Sequence, residues 1–191
     1  MKETRMRPVA LQMGISVDGY VTGGPEDDYD PGPQGEHPDV VARKVAWLQA
    51  AGTHIMGRVT YEEMAGFWPT ATGTYAPPMN DVPKVVFSRT LTKAEWPTSR
   101  IAHGDLAEEI HRLKDEPGGD IIAFGGHTFA QALSRAALVD EYRLVTRPAA
   151  LGSGEPMFKN LGTVLHLDLV ASDAYSDGTV ITVYRPLRRL A

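Results

Sequence analysis

The sequence predicts an α/β fold: a mostly parallel central sheet with an antiparallel edge at its C-terminal end. Three observations carry that reading. Residues 53–57, THIMG, run as an apolar strand through Gly57 into a helical stretch, and residues 120–124, DIIAF, do the same through Gly125-Gly126. Strand, glycine turn and helix in succession make the βα unit of a parallel sheet. After Asp140 the pattern changes to strands alone, with residues 163–171 and 178–186 alternating about the polar link SDAYSD, as antiparallel partners do.

The elements follow in chain order. In PVALQMGISVDGYV, Val9, Leu11, Met13, Ile15 and Val17 alternate with Ala10, Gln12, Gly14, Ser16 and Asp18. A period of two predicts a strand packed on one face, with Gln12, Ser16 and Asp18 sharing the other. Residues 23–38 are polar and rich in Pro and Gly, which predicts a long loop of the kind that serves as a lid. The next helix takes Asp39 as its cap, Val41, Val45 and Leu48 as its apolar stripe, and Gly52 as its C-terminal stop. Thr60-x-x-Glu63 is a capping box after Gly57. KVVFS and RIAH are strands, and Asp105-x-x-Glu108 caps a helix with Leu106, Ile110 and Leu113 on one side, halted by Pro117-Gly118. Beyond Gly126 a helix carries Phe129, Leu133 and Ala137, and EYRLVT is a further strand.

Composition bounds the function. The 191 residues suit one domain, with 42% hydrophobic and 23% charged residues and three tryptophans. There is no cysteine, which excludes disulfides, thiolate metal sites and a cysteine nucleophile and fits a cytoplasmic protein. Residues 1–5 read as a ragged N-terminus ahead of Met6. The start has no signal-peptide core, and no apolar run approaches the roughly 20 residues of a membrane span, so no membrane partner is expected. A net charge of −5 argues against nucleic acid. The six histidines stand singly, so no metal is expected. G-x-G-x-x-G, the P-loop and G-x-S-x-G are all absent.

In an open α/β sheet, ligands bind beyond the carboxyl ends of the strands, where helix N-termini offer free amides. Two turns stand there, Gly57-Arg58-Val59-Thr60 and Gly125-Gly126-His127-Thr128, each with glycine and a hydroxyl at a helix start. Two such turns suit a ligand with more than one phosphate. Ser88-Arg89, at the end of another strand, adds a cation whose planar fork suits a ribose 2′-phosphate; a surface salt bridge is the plain alternative.

These pieces are shared with a known family. Ser16-Val-Asp-Gly19, Met56-Gly-Arg-Val-Thr-Tyr-Glu62, Lys84-Val-Val-Phe-Ser-Arg-Thr-Leu91, Gly125-Gly126, Leu138-Val-Asp-Glu141 and Pro148-Ala-Ala-Leu-Gly-Ser-Gly154 together resemble the dihydrofolate reductase-like superfamily. More narrowly, the chain is similar to stand-alone relatives of the reductase domain of the bifunctional riboflavin-biosynthesis deaminase-reductase, from about Arg7 to Arg185. The resemblance implies a single three-layer domain about a mainly parallel sheet of about eight strands, with NADPH as hydride donor. It implies that Gly57, Arg58 and Thr60, with Gly125, Gly126, His127 and Thr128, hold the cofactor phosphates, and that Ser88 and Arg89 receive the 2′-phosphate. It also implies a homodimer.

The substrate handles of both named activities are replaced here. Val41 falls where dihydrofolate reductases carry an acid on the first long helix. Gln12, Met64 and Phe124 fall where the riboflavin-pathway reductase carries lysine, aspartate and glutamate. Gln12, Ser16 and Asp18 on one strand face, with Tyr20, Trp47, Tyr61, Phe67 and Trp68 as aromatic walls, are the candidates for a flat substrate, and Val41 and Phe124 border it. Trp47 and Phe67 read equally as core, and Asp18 as a turn former before Gly19. Asp18 is the candidate catalytic group. The expected activity is NADPH-dependent reduction of a C=N or C=O in a small pteridine- or pyrimidine-like heterocycle, with Asp18 or bound water giving the proton. The alternative is an NADP-binding sensor or interaction module without efficient chemistry.

Overall fold

The computed structural model describes residues 6–22 and 35–187 of the chain. The expected ragged start, and most of the expected lid, lie outside these. The strands are β1 (Val9–Ile15), β2 (Tyr20–Thr22), β3 (Ala51–Gly57), β4 (Lys84–Phe87), β5 (Ser99–Ala102), β6 (Asp120–Phe124), β7 (Glu141–Thr146), β8 (Glu155–Pro156), β9 (Leu167–Ala174) and β10 (Val180–Pro186). The helices are α1 (Pro38–Ala50), α2 (Arg58–Phe67), α3 (Ala76–Asp81), α4 (Leu106–Asp115) and α5 (His127–Arg135). Eight strands form one sheet in the order β5-β4-β3-β6-β1-β7-β10-β9, and β2 pairs with β8 apart from it. β5 through β7 are parallel, and β10 runs antiparallel to both β7 and β9. This is the expected α/β sheet with its antiparallel edge.

Two main cores, with a small third cluster of Val40, Val145 and Ile181, make three layers. On one sheet face Met56, Val86, Ile122 and Phe124 pack with Val45 and Leu48 of α1, Tyr61 of α2 and Met79 of α3. On the other, Leu11, Ile55, Val85 and Ile121 pack with Ile110 and Leu113 of α4 and Phe129 and Leu133 of α5. β1 therefore corrects the one-faced reading: as an inner strand it buries both alternating sets, Val9 and Leu11 on one side and Ala10 and Gln12 on the other.

Helix ends correct three more expectations. His37, not Asp39, caps α1, its Nδ1 accepting from the Asp39 amide at 3.2 Å. Gly52 does not stop α1, because β3 begins at once; a Cβ on Gly52 would lie 2.6 Å from the Gly119 nitrogen, so glycine here permits close backbone approach. α2 starts at Arg58 with Gly57 as its cap, leaving Thr60 inside the helix and not at its cap. Asp105 does cap α4, accepting from the Ala107 and Glu108 amides. The last strand pair forms as expected, but β9 lies over Leu167–Ala174 and not 163–171, and most of it is exposed.

Candidate functional site

A cleft of about 1330 Å³ opens at the carboxyl ends of β1, β3, β4, β6 and β7. Gly57 and Gly126 end the turns after β3 and β6, which are paired neighbours, so the N-termini of α2 and α5 enter the cleft side by side. A Cβ on Gly126 would stand 3.3 Å from Thr60 Oγ1, which measures how closely the two turns meet. Neither helix has a side-chain cap or an acidic residue in its first turn, so their leading amides have no carboxylate neighbour competing for them. Arg89 borders the same cleft from the end of β4, exposed and without a partner among the described residues. Free amides and a free guanidinium on one wall suit a phosphorylated ligand.

The RibD C-terminal domain model matches residues 7–181 of this sequence. The chain belongs to that family. The uncharacterized protein YyaP of Bacillus subtilis is 28% identical, over 94% of this chain and 95% of its own. A putative riboflavin biosynthesis protein from Shewanella sp. PV-4 has the same fold, with a TM-score of 0.75 at 21% identity over 95% of this chain and 99% of that one. Dihydrofolate reductase of Enterococcus faecalis, solved with NADP(H), superposes with a TM-score of 0.62 at 14% identity, covering 95% and 97% of the two chains.

Within this RibD-type domain the expected phosphate-side residues separate into two groups. Gly57, Arg58, Thr60, Gly126, His127 and Thr128 border the cleft. Arg58 is bound to Glu62 at 2.7 Å one helical turn on, both half exposed. Gly125 also borders it, but its lack of a side chain answers to packing: a Cβ there would lie 2.8 Å from Met13 Sδ and 3.0 Å from Ala130 Cβ. Ser88 stands outside the cleft lining. Its hydroxyl accepts from the Thr90 and Leu91 amides and so shapes the turn that presents Arg89.

On the substrate side, Gln12 and Phe124 are register partners on β1 and β6 and floor a compartment walled by α1, the end of α2 and α3. Gln12 is 9% exposed, and its Oε1 is buried without a hydrogen-bond partner among the described residues. Trp68 and Phe67 line the cleft, in edge contact with each other. Five expected wall residues do not, among them Trp47, which packs against the core instead. Tyr61 is buried, its hydroxyl accepting from the Trp96 amide at 2.9 Å. Val41 packs into the core, and its neighbour Val40 lines the cleft instead. Ser16 and Tyr20 belong to the β1–β2 turn, where the Ser16 hydroxyl accepts from the Tyr20 amide and donates to Asp18.

Asp18 is the main correction. Its carboxylate accepts from Ser16 Oγ at 2.6 Å and from the Gly152 and Leu151 amides at 2.7 and 3.1 Å. The serine hydroxyl, then those amides, hold its pKa down at about 2. It is ionised at neutral pH, has no proton to give, and serves to tie the β1–β2 turn to the 151–152 loop.

Sequence reasoning missed a polar cluster in the same cleft. Lys44 Nζ lies 2.6 Å from Glu36 Oε1, and the Tyr75 hydroxyl donates to Glu36 Oε2 at 2.8 Å. Burial, then the bond to Glu36, pushes the Tyr75 phenol well above its ordinary value, so it stays protonated. Asp177 and Thr179, from the β9–β10 turn, and Arg147 complete the cleft's opposite rim. Among the described residues no group of three or more metal-ligating side chains occurs, and no helix is long and apolar enough to cross a membrane.

Proposed function

We propose that the protein is an NADPH-dependent oxidoreductase that reduces a C=N or C=O bond of a small, flat, pteridine- or pyrimidine-like heterocycle. One observation carries this reading: two uncapped helix N-termini and Arg89, which has no partner among the described residues, share a single cleft with a compartment of Phe124, Met64 and Trp68. The cofactor, when bound, supplies a hydride. The amides at Gly57–Thr60 and Gly126–Thr128 would hold its phosphates, with Arg89 on the 2′-phosphate. Phe124, Met64 and Trp68 would hold a flat ring and exclude water from it, and Gln12 would orient it through its carboxamide. The solved complex of Enterococcus faecalis dihydrofolate reductase with NADP(H) supports this choice of cofactor. We assign the protein to the cytoplasm, and a homodimer would form on the outer edge of β9; sedimentation tests the latter.

Calorimetry tests the reading. NADPH should bind the wild type far more tightly than NADH, and Arg89→Ala should weaken NADPH about tenfold or more while leaving NADH unchanged, as loss of a charged hydrogen bond worth about 1.5–3 kcal/mol requires. Equal loss for both nucleotides would remove Arg89 from this role. No heat on adding NADPH would remove the reductase reading altogether.

A second reading, an NADP-binding sensor, rests on the apolar residues at Val41, Met64 and Phe124 and on the locked Asp18. Tight NADPH binding with no oxidation across dihydrofolate, dihydropterins and flavins would favour it.

A further inference from the structure

From the geometry of the Glu36 cluster we infer that Lys44 is the catalytic proton donor of the substrate compartment, with Glu36 and Tyr75 as the residues that position it. The inference rests on the reductase reading for what the compartment holds. The surroundings supply the first argument. Lys44 and Glu36 are only 21% and 17% exposed, Tyr75 is 8% exposed, and their neighbours on the cleft wall include Val40, Leu48 and Met79. A part-buried ion pair in an apolar wall gains little for stability over well-packed hydrophobic side chains.

The second argument is a count of hydrogen-bonding capacity. Glu36 has one oxygen engaged by Lys44 and the other by Tyr75. The Tyr75 hydroxyl spends its only proton on Glu36. The ammonium of Lys44 carries three N–H donors and, among the described residues, spends one on Glu36, so it alone of the three has protons left to offer. Its Nζ also lies 5.2 Å from the Tyr75 ring centroid, which holds it on this wall. The side chain comes from a different helix from either uncapped N-terminus, so it stands apart from the phosphate-binding turns.

The chemistry balances. When the carbon of a C=N or C=O bond takes up a hydride from the reduced nicotinamide, the π electron pair moves to the nitrogen or oxygen. An N–H bond of the Lys44 ammonium breaks as the new N–H or O–H bond forms there. Lys44 is left as the amine and regains its proton from water at its exposed edge. Glu36, 2.6 Å from Nζ, holds the Lys44 nitrogen in place before and after the transfer.

The test uses full-length protein and 7,8-dihydropterin, which carries a C=N bond, in wild type, Lys44→Met, Lys44→Arg, Tyr75→Phe and the double variant Glu36→Gln with Lys44→Met. Calorimetry without cofactor reads dihydropterin binding, NADPH fluorescence reads cofactor binding, and absorbance reads turnover. Lys44→Met should weaken dihydropterin binding about tenfold and lower kcat about 100-fold, the lower range for general acid catalysis. Lys44→Arg should restore binding but not kcat, because a guanidinium keeps the charge and the donors yet does not surrender a proton. Tyr75→Phe should cut kcat less, at unchanged NADPH affinity. The double variant removes both charges together and controls for folding; it should bind NADPH and melt as the wild type does while turning over as slowly as Lys44→Met. Wild-type dihydropterin binding and kcat in Lys44→Met, or full recovery of kcat in Lys44→Arg, would overturn the inference while NADPH binding keeps the reductase reading intact. A wild type that binds NADPH but not dihydropterin would overturn it too. Absence of NADPH binding by the wild type would sink the reductase reading and the proton-donor role with it, whereas the preceding outcomes, read beside intact NADPH binding, sink the Lys44 role alone.

Discussion

Side chains of this protein titrate according to what they touch, and two of them make its stability depend on pH. Asp18 sits at about 2 in the folded chain against an ordinary 3.8, so its contribution is complete above about pH 4 and disappears as the pH falls toward 2. Asp18→Asn should flatten the acid limb of the melting temperature between pH 4 and 2; an unchanged limb would mean that the Gly152 and Leu151 contacts do not persist in solution. His54 behaves in the opposite chemical sense. It is fully buried on β3, neither ring nitrogen has a hydrogen-bond partner among the described residues, and burial, then the charge of Lys84, lowers its pKa from 6.5 to about 3. Only the unfolded chain takes up that proton readily, so stability declines as the pH drops from about 6.5 toward 3. His54→Leu should therefore raise the melting temperature more at pH 5 than at pH 7.5, and an equal rise at both would refute the assignment. Glu36 shows why some residues stay hidden in a sequence. It lies in a polar, Pro- and Gly-rich stretch without periodicity, and its partners are 8 and 39 residues away, so only the folded chain assembles the cluster.

Elements were legible where one pattern had one explanation. Apolar runs ending in glycine marked β3 and β6, and Asp105 with Glu108 marked the start of α4, because those signals are local. Asp105→Ala should cost about 1 kcal/mol, the usual worth of a cap, and lower the melting temperature by about 2–4 °C in a chain of this size. Signals failed where tertiary packing took the position. Thr60 matches a capping box, yet β3 ends at Gly57 and α2 begins with the next residue, which carries Thr60 into the cleft wall. Glycine likewise had two causes that sequence does not separate: Gly126 lies open to the cleft, whereas Gly119 is pressed on its neighbour, where an added Cβ would come 2.2 Å from the Ala50 carbonyl oxygen. Gly119→Ala should destabilise by about 3 kcal/mol, the upper end for overpacking, because the clash is with backbone. Denaturant unfolding measures it.

For the molecule as a whole, the ordered motifs between Arg7 and Arg185 carried the fold through their order and spacing along the chain, although the sheet takes its strands out of chain order. The wall proposed for the cofactor was visible in the sequence because each of its two turns is contiguous; the wall proposed for the substrate was not, because it is collected from α1, the end of α2 and the cap of α3. A ligand that spans this cleft links separate segments, so NADPH at 100 times its dissociation constant should stabilise the fold by about 2.7 kcal/mol. A thermal shift of roughly 5–10 °C reads this out, and none would contradict the proposed cofactor. One seam deserves an engineer's notice. Helix α1 closes at Ala50 and β3 opens at Ala51, so the chain has no slack between them. A single codon inserted there would swing Ile55 and Met56 onto each other's sheet faces and empty both cores at once. Reporter fusions and permuted termini belong anywhere but at that join.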